Sequence, residues 1–248
     1  MTAGPITSDF DSRGRLCRVI GGVEMVLLVL LFAGTPLFVV PAAYESFLFP
    51  KILWAETLIV VVICLAILQT LLGRPFLLPL NALLAVIAGY AVLHAASITW
   101  AQSPSLALDR SHLWLLLAVL AVLLPSSLMR NERRQRVLGA SLLVSAVITA
   151  IWALSQDVRQ AFFPDTLTTM NKLGDWRGFL TAGFGNTSHI GDFLALLYPL
   201  GFLVFLSARR RWLAGVMLGW LWICYAALIA VFSVHSNVGL IVAMVLTL

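Results

Sequence analysis

Apolar residues run in long, nearly unbroken stretches along the chain, and charged and polar residues collect in the gaps between them. A helix needs about 20 mainly apolar residues to cross the hydrocarbon core of a bilayer. Runs of that order lie at about 19–40, 52–72, 77–99, 112–129, 137–156, 190–207 and 212–233. An eighth, at about 238–248, is about 11 residues long where the sequence stops, too short to span unless tilted or continued. The pattern predicts an all-α fold: a polytopic transmembrane helical bundle of about seven spans plus a truncated eighth, a single transmembrane domain over 1–248. Its longest connection, about 157–189, separates the fifth and sixth spans. Most prolines fall near span ends, but Pro199 lies inside the sixth span and predicts a kink there. Gly191 and Gly201 in the same span predict close helix packing, since small residues let membrane helices approach.

Composition narrows the class. Of 248 residues, 61% are hydrophobic and 11% charged, against about 45–50% and about 25% in ordinary soluble domains. A net charge of +5 would point a soluble protein toward nucleic acid. Here the basic residues sit in short loops, which argues for membrane orientation and against a nucleic-acid partner. With the amino terminus cytoplasmic, eleven of the sixteen Lys and Arg residues fall on the inner side and five on the outer. The segment 157–189 then faces outward, on the side opposite the cytoplasm. Roughly 18 polar or mixed residues precede the first apolar run, with no convincing cleavage site after it. A retained first helix is expected, not a signal peptide. Cys17, Cys64 and Cys224 form an odd, scattered set without disulfide or metal-ligand spacing and read as packing residues.

The densest candidate chemistry is the stretch from Trp176 to His189, rich in Gly and in hydrogen-bonding side chains. Polar groups at membrane depth are costly unless they face protein, water or a ligand. The sharp reading is a site for an anionic or sugar-bearing substrate; the plain one is a re-entrant or outer connector. Arg177 offers a planar guanidinium that grips phosphate oxygens bidentately, or else a salt bridge to Asp165 or Asp175. Asn186 and His189 lead into the sixth span, where Thr187 or Ser188 could cap the helix and Asp192 could orient the imidazole. An interfacial capping turn explains the same residues. Lys51, in Phe49-Pro50-Lys51 at the outer start of the second span, could draw in a phosphate or simply snorkel. Lys172 is a further cation of the same outer loop. His235, in His235-Ser236-Asn237, reads as part of an outer turn before the last run that could face the same vestibule. Ser97 to Pro104 ends the third span and reads either as vestibule wall or as a polar helix exit. Glu24 and Glu56 lie within the first two spans, where carboxylates are functional candidates by default unless water reaches them. The soluble-enzyme motifs are missing: no Walker-type loop, HExxH, CxxC or Gly-x-Ser-x-Gly occurs, and no DxD-like carboxylate cluster. No cofactor and no metal are expected.

With Arg177, Gly183-Phe184-Gly185-Asn186-Thr187-Ser188-His189 and Phe193-Leu194-Ala195-Leu196-Leu197-Tyr198-Pro199-Leu200 in view, the chain resembles the O-antigen ligase and polymerase family of bacterial envelope proteins. That family shows an arginine, a Gly-x-Phe-x-Asn-Pro-Asn-like turn and a proline-interrupted apolar helix. The lysine after proline at Lys51 and the stretch Ser97-Ile98-Thr99-Trp100-Ala101-Gln102-Ser103-Pro104 are similar too. The resemblance implies an inner-membrane glycosyltransferase that takes a glycan from undecaprenyl diphosphate on the periplasmic face. It delivers that glycan to lipid A–core, to another glycan or to a protein, with membrane lipids around it. Arg177 would contact the diphosphate, and Asn186 and His189 would shape the vestibule. The family's Ser-Arg pair after the seventh span reads Ser236-Asn237 here. The family also continues into more helices and a histidine-bearing periplasmic loop, so the chain is expected to be the amino-terminal portion of a longer fold, active once completed. The contrasting expectation is a non-catalytic membrane protein, a small-solute transporter or a partner-dependent subunit. A transporter would show related halves or broken helices.

Overall fold

The computed structural model describes residues 7–39, 48–74, 82–128, 131–162, 184, 187–231 and 234–247. Among the described residues the regular structure is all helical: α1 (Thr7–Val29), α2 (Leu48–Leu71), α3 (Ala82–Ser97), α4 (Pro104–Leu128), α5 (Glu132–Phe162), α6 (Thr187–Ser207), α7 (Arg211–Val231) and α8 (Val234–Thr247). A π-helical turn, Leu30–Gly34, and a 3₁₀ turn, Thr35–Leu37, continue α1, and a 3₁₀ turn, Ile98–Trp100, closes α3. Each expected apolar run thus holds a helix.

Five of these segments are long and apolar enough to cross a membrane: Gly14–Leu37, Pro50–Leu71, Glu132–Gln156, Ser188–Ser207 and Arg211–Val231. Only 22% to 39% of each apolar window is buried within the protein. Large side chains such as Leu196, Trp222 and Val216 face outward. Helices apolar on all sides belong in a lipid-like solvent, so the chain has the character of a polytopic membrane protein. Within the third and fourth runs, Ala85–Trp100 and Trp114–Pro125 are apolar helical stretches among the described residues. Pro104 stands first in α4, where its missing N–H costs nothing.

Two boundaries depart from the apolar pattern. Helix α5 continues past the expected loop start at 157 to Phe162, and α8 begins at Val234. His235, Ser236 and Asn237 therefore belong to the first turn of a helix, not to a connecting turn. Hydropathy locates what lies in lipid, whereas helical hydrogen bonding continues into polar residues at the membrane surface.

The chain packs as two compact units, Met1–Leu31 with Ile52–Val137, and Phe32–Lys51 with Leu138–Leu248. In the first, α2 stops at Gly73, whose φ of +91° suits glycine. Gly73 N–H donates to the Thr70 carbonyl and Arg74 N–H to the Gln69 carbonyl, each at 3.0 Å. This is the Schellman arrangement that satisfies a helix's last carbonyls, and it returns Arg74 to Gln69, whose Oε1 accepts from its guanidinium. Asn131 opens α5 as a cap: its Oδ1 accepts from Arg133 N–H at 3.0 Å and Arg134 N–H at 3.4 Å.

The second unit is built around a small-residue face of α5. Ala146, Ala150 and Ala153 are buried there together with Ile190 and Leu194 of α6 and Cys224, Ala227 and Leu228 of α7. Trp220 of α7 fits against Gly201 of α6, where a Cβ would overlap the indole ring. The indole N–H donates to the Leu143 carbonyl at 2.8 Å. Gly201 thus plays the expected packing role, because a missing side chain lets a bulky ring come against the helix backbone.

Candidate functional site

Helix α1 breaks toward its end. Its regular turns stop at Val29, and the π and 3₁₀ turns that follow, with Pro36 in the second, release carbonyls from the α-helical ladder. Two side chains take them up. The Ser145 hydroxyl of α5 donates to the Ala33 carbonyl at 2.7 Å. Lys51 Nζ, in the first turn of α2, donates to the Pro36 carbonyl at 2.9 Å.

Lys51 also lies 4.5 Å from the centroid of the Phe184 ring. A partly desolvated cation over an aromatic face gains about 0.5–2 kcal/mol. Phe184 in turn rests against Phe193 of α6, ring centres 5.4 Å apart. The lysine is half-buried, held by one carbonyl and one ring, and faces no carboxylate in either contact. Beside it in sequence to Pro36, the Thr35 hydroxyl is buried without a hydrogen-bond partner among the described residues, as is that of Thr149, one turn beyond Ser145. A buried hydroxyl left unpaired costs about 1–3 kcal/mol. The assembly places a half-buried ammonium at a helix break, where it can pair with an anionic oxygen.

A second polar centre lies within the first unit. Glu24 of α1 is 2% exposed. Its Oε2 accepts from Gln69 Nε2 at 2.9 Å, and Arg134 Nη1 stands 3.4 Å away and Arg74 Nη1 4.0 Å. Arg134 reaches it across Gly21, where any Cβ would meet the guanidinium. A buried carboxylate so enclosed is neutralised in place, and its role is to join α1, α2 and α5. Glu56 is paired differently, with His112 of α4 at 2.5 Å. Neither partnership could be read from sequence, because the partners lie 45, 50, 110 and 56 residues away.

The expected site residues are distributed as follows. Lys51 is half-buried at the break of α1, as just described. His189 is exposed in the first turn of α6, and Asp192 is exposed further along the helix. His235 lies in the first turn of α8. Arg177, Lys172 and Asn186 lie outside the described residues, as do most of 163–186. What the structure adds is Phe184: it connects Lys51 to the glycine-rich stretch, two motifs that sequence treated as separate. A sequence signal that could have marked the break is Gly34-Thr35-Pro36, a helix-breaking triplet inside an apolar run. Among the described residues no three His, Cys, Asp or Glu side chains gather in a way that could hold a metal.

Among the described residues, fold and site define a helical protein of membrane character with a half-buried lysine at a helix break. No protein-family model, no curated protein and no solved structure matches the chain.

Proposed function

We propose that the chain binds the diphosphate of a lipid-linked glycan at the outer surface of a bacterial inner membrane, as an O-antigen ligase-like glycosyltransferase does. The observation that carries this reading is Lys51, held by the Pro36 carbonyl and the Phe184 ring at the end of a membrane-spanning helix. An ammonium in such a place, beside the unpaired Thr35 hydroxyl, suits phosphate oxygens. In this reading α3 and α4 also cross, giving seven spans with the amino terminus cytoplasmic, and Arg177, Lys172, Asn186, His189 and His235 complete the vestibule. The reaction joins an acceptor hydroxyl oxygen to the anomeric carbon and breaks that carbon's bond to the diphosphate. The lipid diphosphate leaves with the bonding electrons, and the hydroxyl proton passes to a base. Cations aimed at the leaving group lower the barrier electrostatically.

The test is binding of undecaprenyl diphosphate to the purified chain, followed by native mass spectrometry. Lys51→Gln is expected to weaken binding about tenfold, the scale of one charge-assisted hydrogen bond, and Lys51→Arg to retain most of it. Arg177→Ala should weaken it similarly. Equal binding by wild type and Lys51→Gln would remove Lys51 from consideration.

The break in α1 favours one second reading, a small-solute transporter, because broken helices mark substrate sites in that class. Solute uptake into proteoliposomes together with indifference to undecaprenyl diphosphate would select it.

A further inference from the structure

The first unit contains an open groove of about 550 Å³ between α1 and the start of α5. Arg18, Arg133 and Arg134 stand on it, and Gly22, Met25 and Val29 line it along α1. Arg18, Gly22, Met25 and Val29 are spaced four, three and four residues apart, so they form one stripe of the helix. An adjoining hollow of about 320 Å³ shares Arg18, Asn131 and Arg134 and adds Arg74.

Four guanidiniums therefore border these hollows, and no carboxylate is among their described lining residues; Glu24, buried nearby, is committed to Gln69, Arg134 and Arg74. Arg18 and Arg133 are exposed. Gly22 forms a floor without a side chain, and a Cβ there would meet nothing within 4 Å. From Gly22 to Val29 the apolar stripe runs about 10 Å along the helix.

A free anion has no use for that apolar stripe, and a neutral lipid has none for the guanidiniums. An anionic phospholipid uses both. We propose that this groove binds the phosphate head group of an anionic phospholipid, with one acyl chain lying along α1 from Gly22 toward Val29. Basic hollows beside membrane helices take such head groups by direct charge pairing. The inference rests on the membrane-spanning reading of the helices and is independent of the lipid-linked glycan.

The purified full chain, in detergent, is titrated with dioleoylphosphatidylglycerol, with dioleoylphosphatidylcholine and with inorganic phosphate, and bound species are read by native mass spectrometry. Phosphatidylglycerol is expected to bind about tenfold more tightly than phosphatidylcholine, and Arg18→Gln and Arg133→Gln each to weaken it about fivefold. Both arginines are exposed, so these changes leave the helix packing alone. Gly22→Leu keeps every charge but fills the floor, and it is expected to abolish the preference while the chain elutes as wild type does. Equal affinity for the two lipids overturns the proposal. So does a preference that survives both arginine changes, or one lost in the arginine variants but kept in Gly22→Leu. That last outcome, with matching affinity for inorganic phosphate, identifies an anion site without a lipid.

Discussion

At the scale of single residues, the decisive ones are polar groups placed where an apolar residue would be cheaper. Glu24 is tolerable only because Gln69, Arg74 and Arg134 surround it. Removing one member of a buried charged set leaves the others uncompensated, at about 3–5 kcal/mol. Arg134→Leu is therefore expected to lower the melting temperature in detergent far more than Glu24→Gln, which removes the charge but keeps an amide. A larger loss from Glu24→Gln would overturn that ranking and make the uncompensated guanidiniums the costlier remnant. Gly73→Ala should cost about 1–2 kcal/mol, the penalty for a Cβ in the left-handed region, and should loosen Arg74 as well. Sequence marked Glu24 as anomalous for its depth in an apolar run. It could not name the partners, because helical periodicity reports only on residues three or four apart.

At the scale of elements, α6 and α7 meet through one void and one ring. Gly201→Val should destabilise by about 1–3 kcal/mol, the usual cost of overpacking, since Trp220 already fills the space. Gly215 of α7 offers a control: its Cβ would meet nothing within 4 Å, so Gly215→Ala should be neutral or slightly stabilising through helix propensity. Thermal melts of the two variants side by side check this, and equal losses would argue against the Trp220 fit. Apolar runs located every helix among the described residues, since lipid burial and helix formation select the same residues. They misjudged the ends at Phe162 and Val234, where the helices continue into polar sequence. The site at the end of α1 was half legible: Lys51 stood out for its charge, but Pro36 passed as one of the prolines near span ends. That Phe184 covers the lysine is a tertiary fact, set by where α6 brings Phe193.

At the scale of the whole molecule, the asymmetry of Lys and Arg sets the proposed orientation. With Cys17, Cys64 and Cys224 replaced by Ala, Lys172→Cys should react with an impermeant maleimide added from the periplasmic side of intact cells. Labelling only after the inner membrane is opened would reverse the orientation and move Lys51 to the cytoplasmic face. The enclosure of Glu24 also imposes an order on how the protein is made. Arg134 follows Glu24 by 110 residues, roughly 5–22 s of synthesis at about 5–20 residues per second. Through that interval the first span cannot be left alone in the lipid with its acid uncovered. Gln69 and Arg74 arrive earlier, with the second span, and Arg134 only with the fifth. The first helix must wait beside the insertion machinery, or against the second helix, until the fifth emerges to close the set. A nascent chain stalled before residue 134 should consequently remain crosslinkable to the translocon through its first span, and one stalled well beyond it should be released.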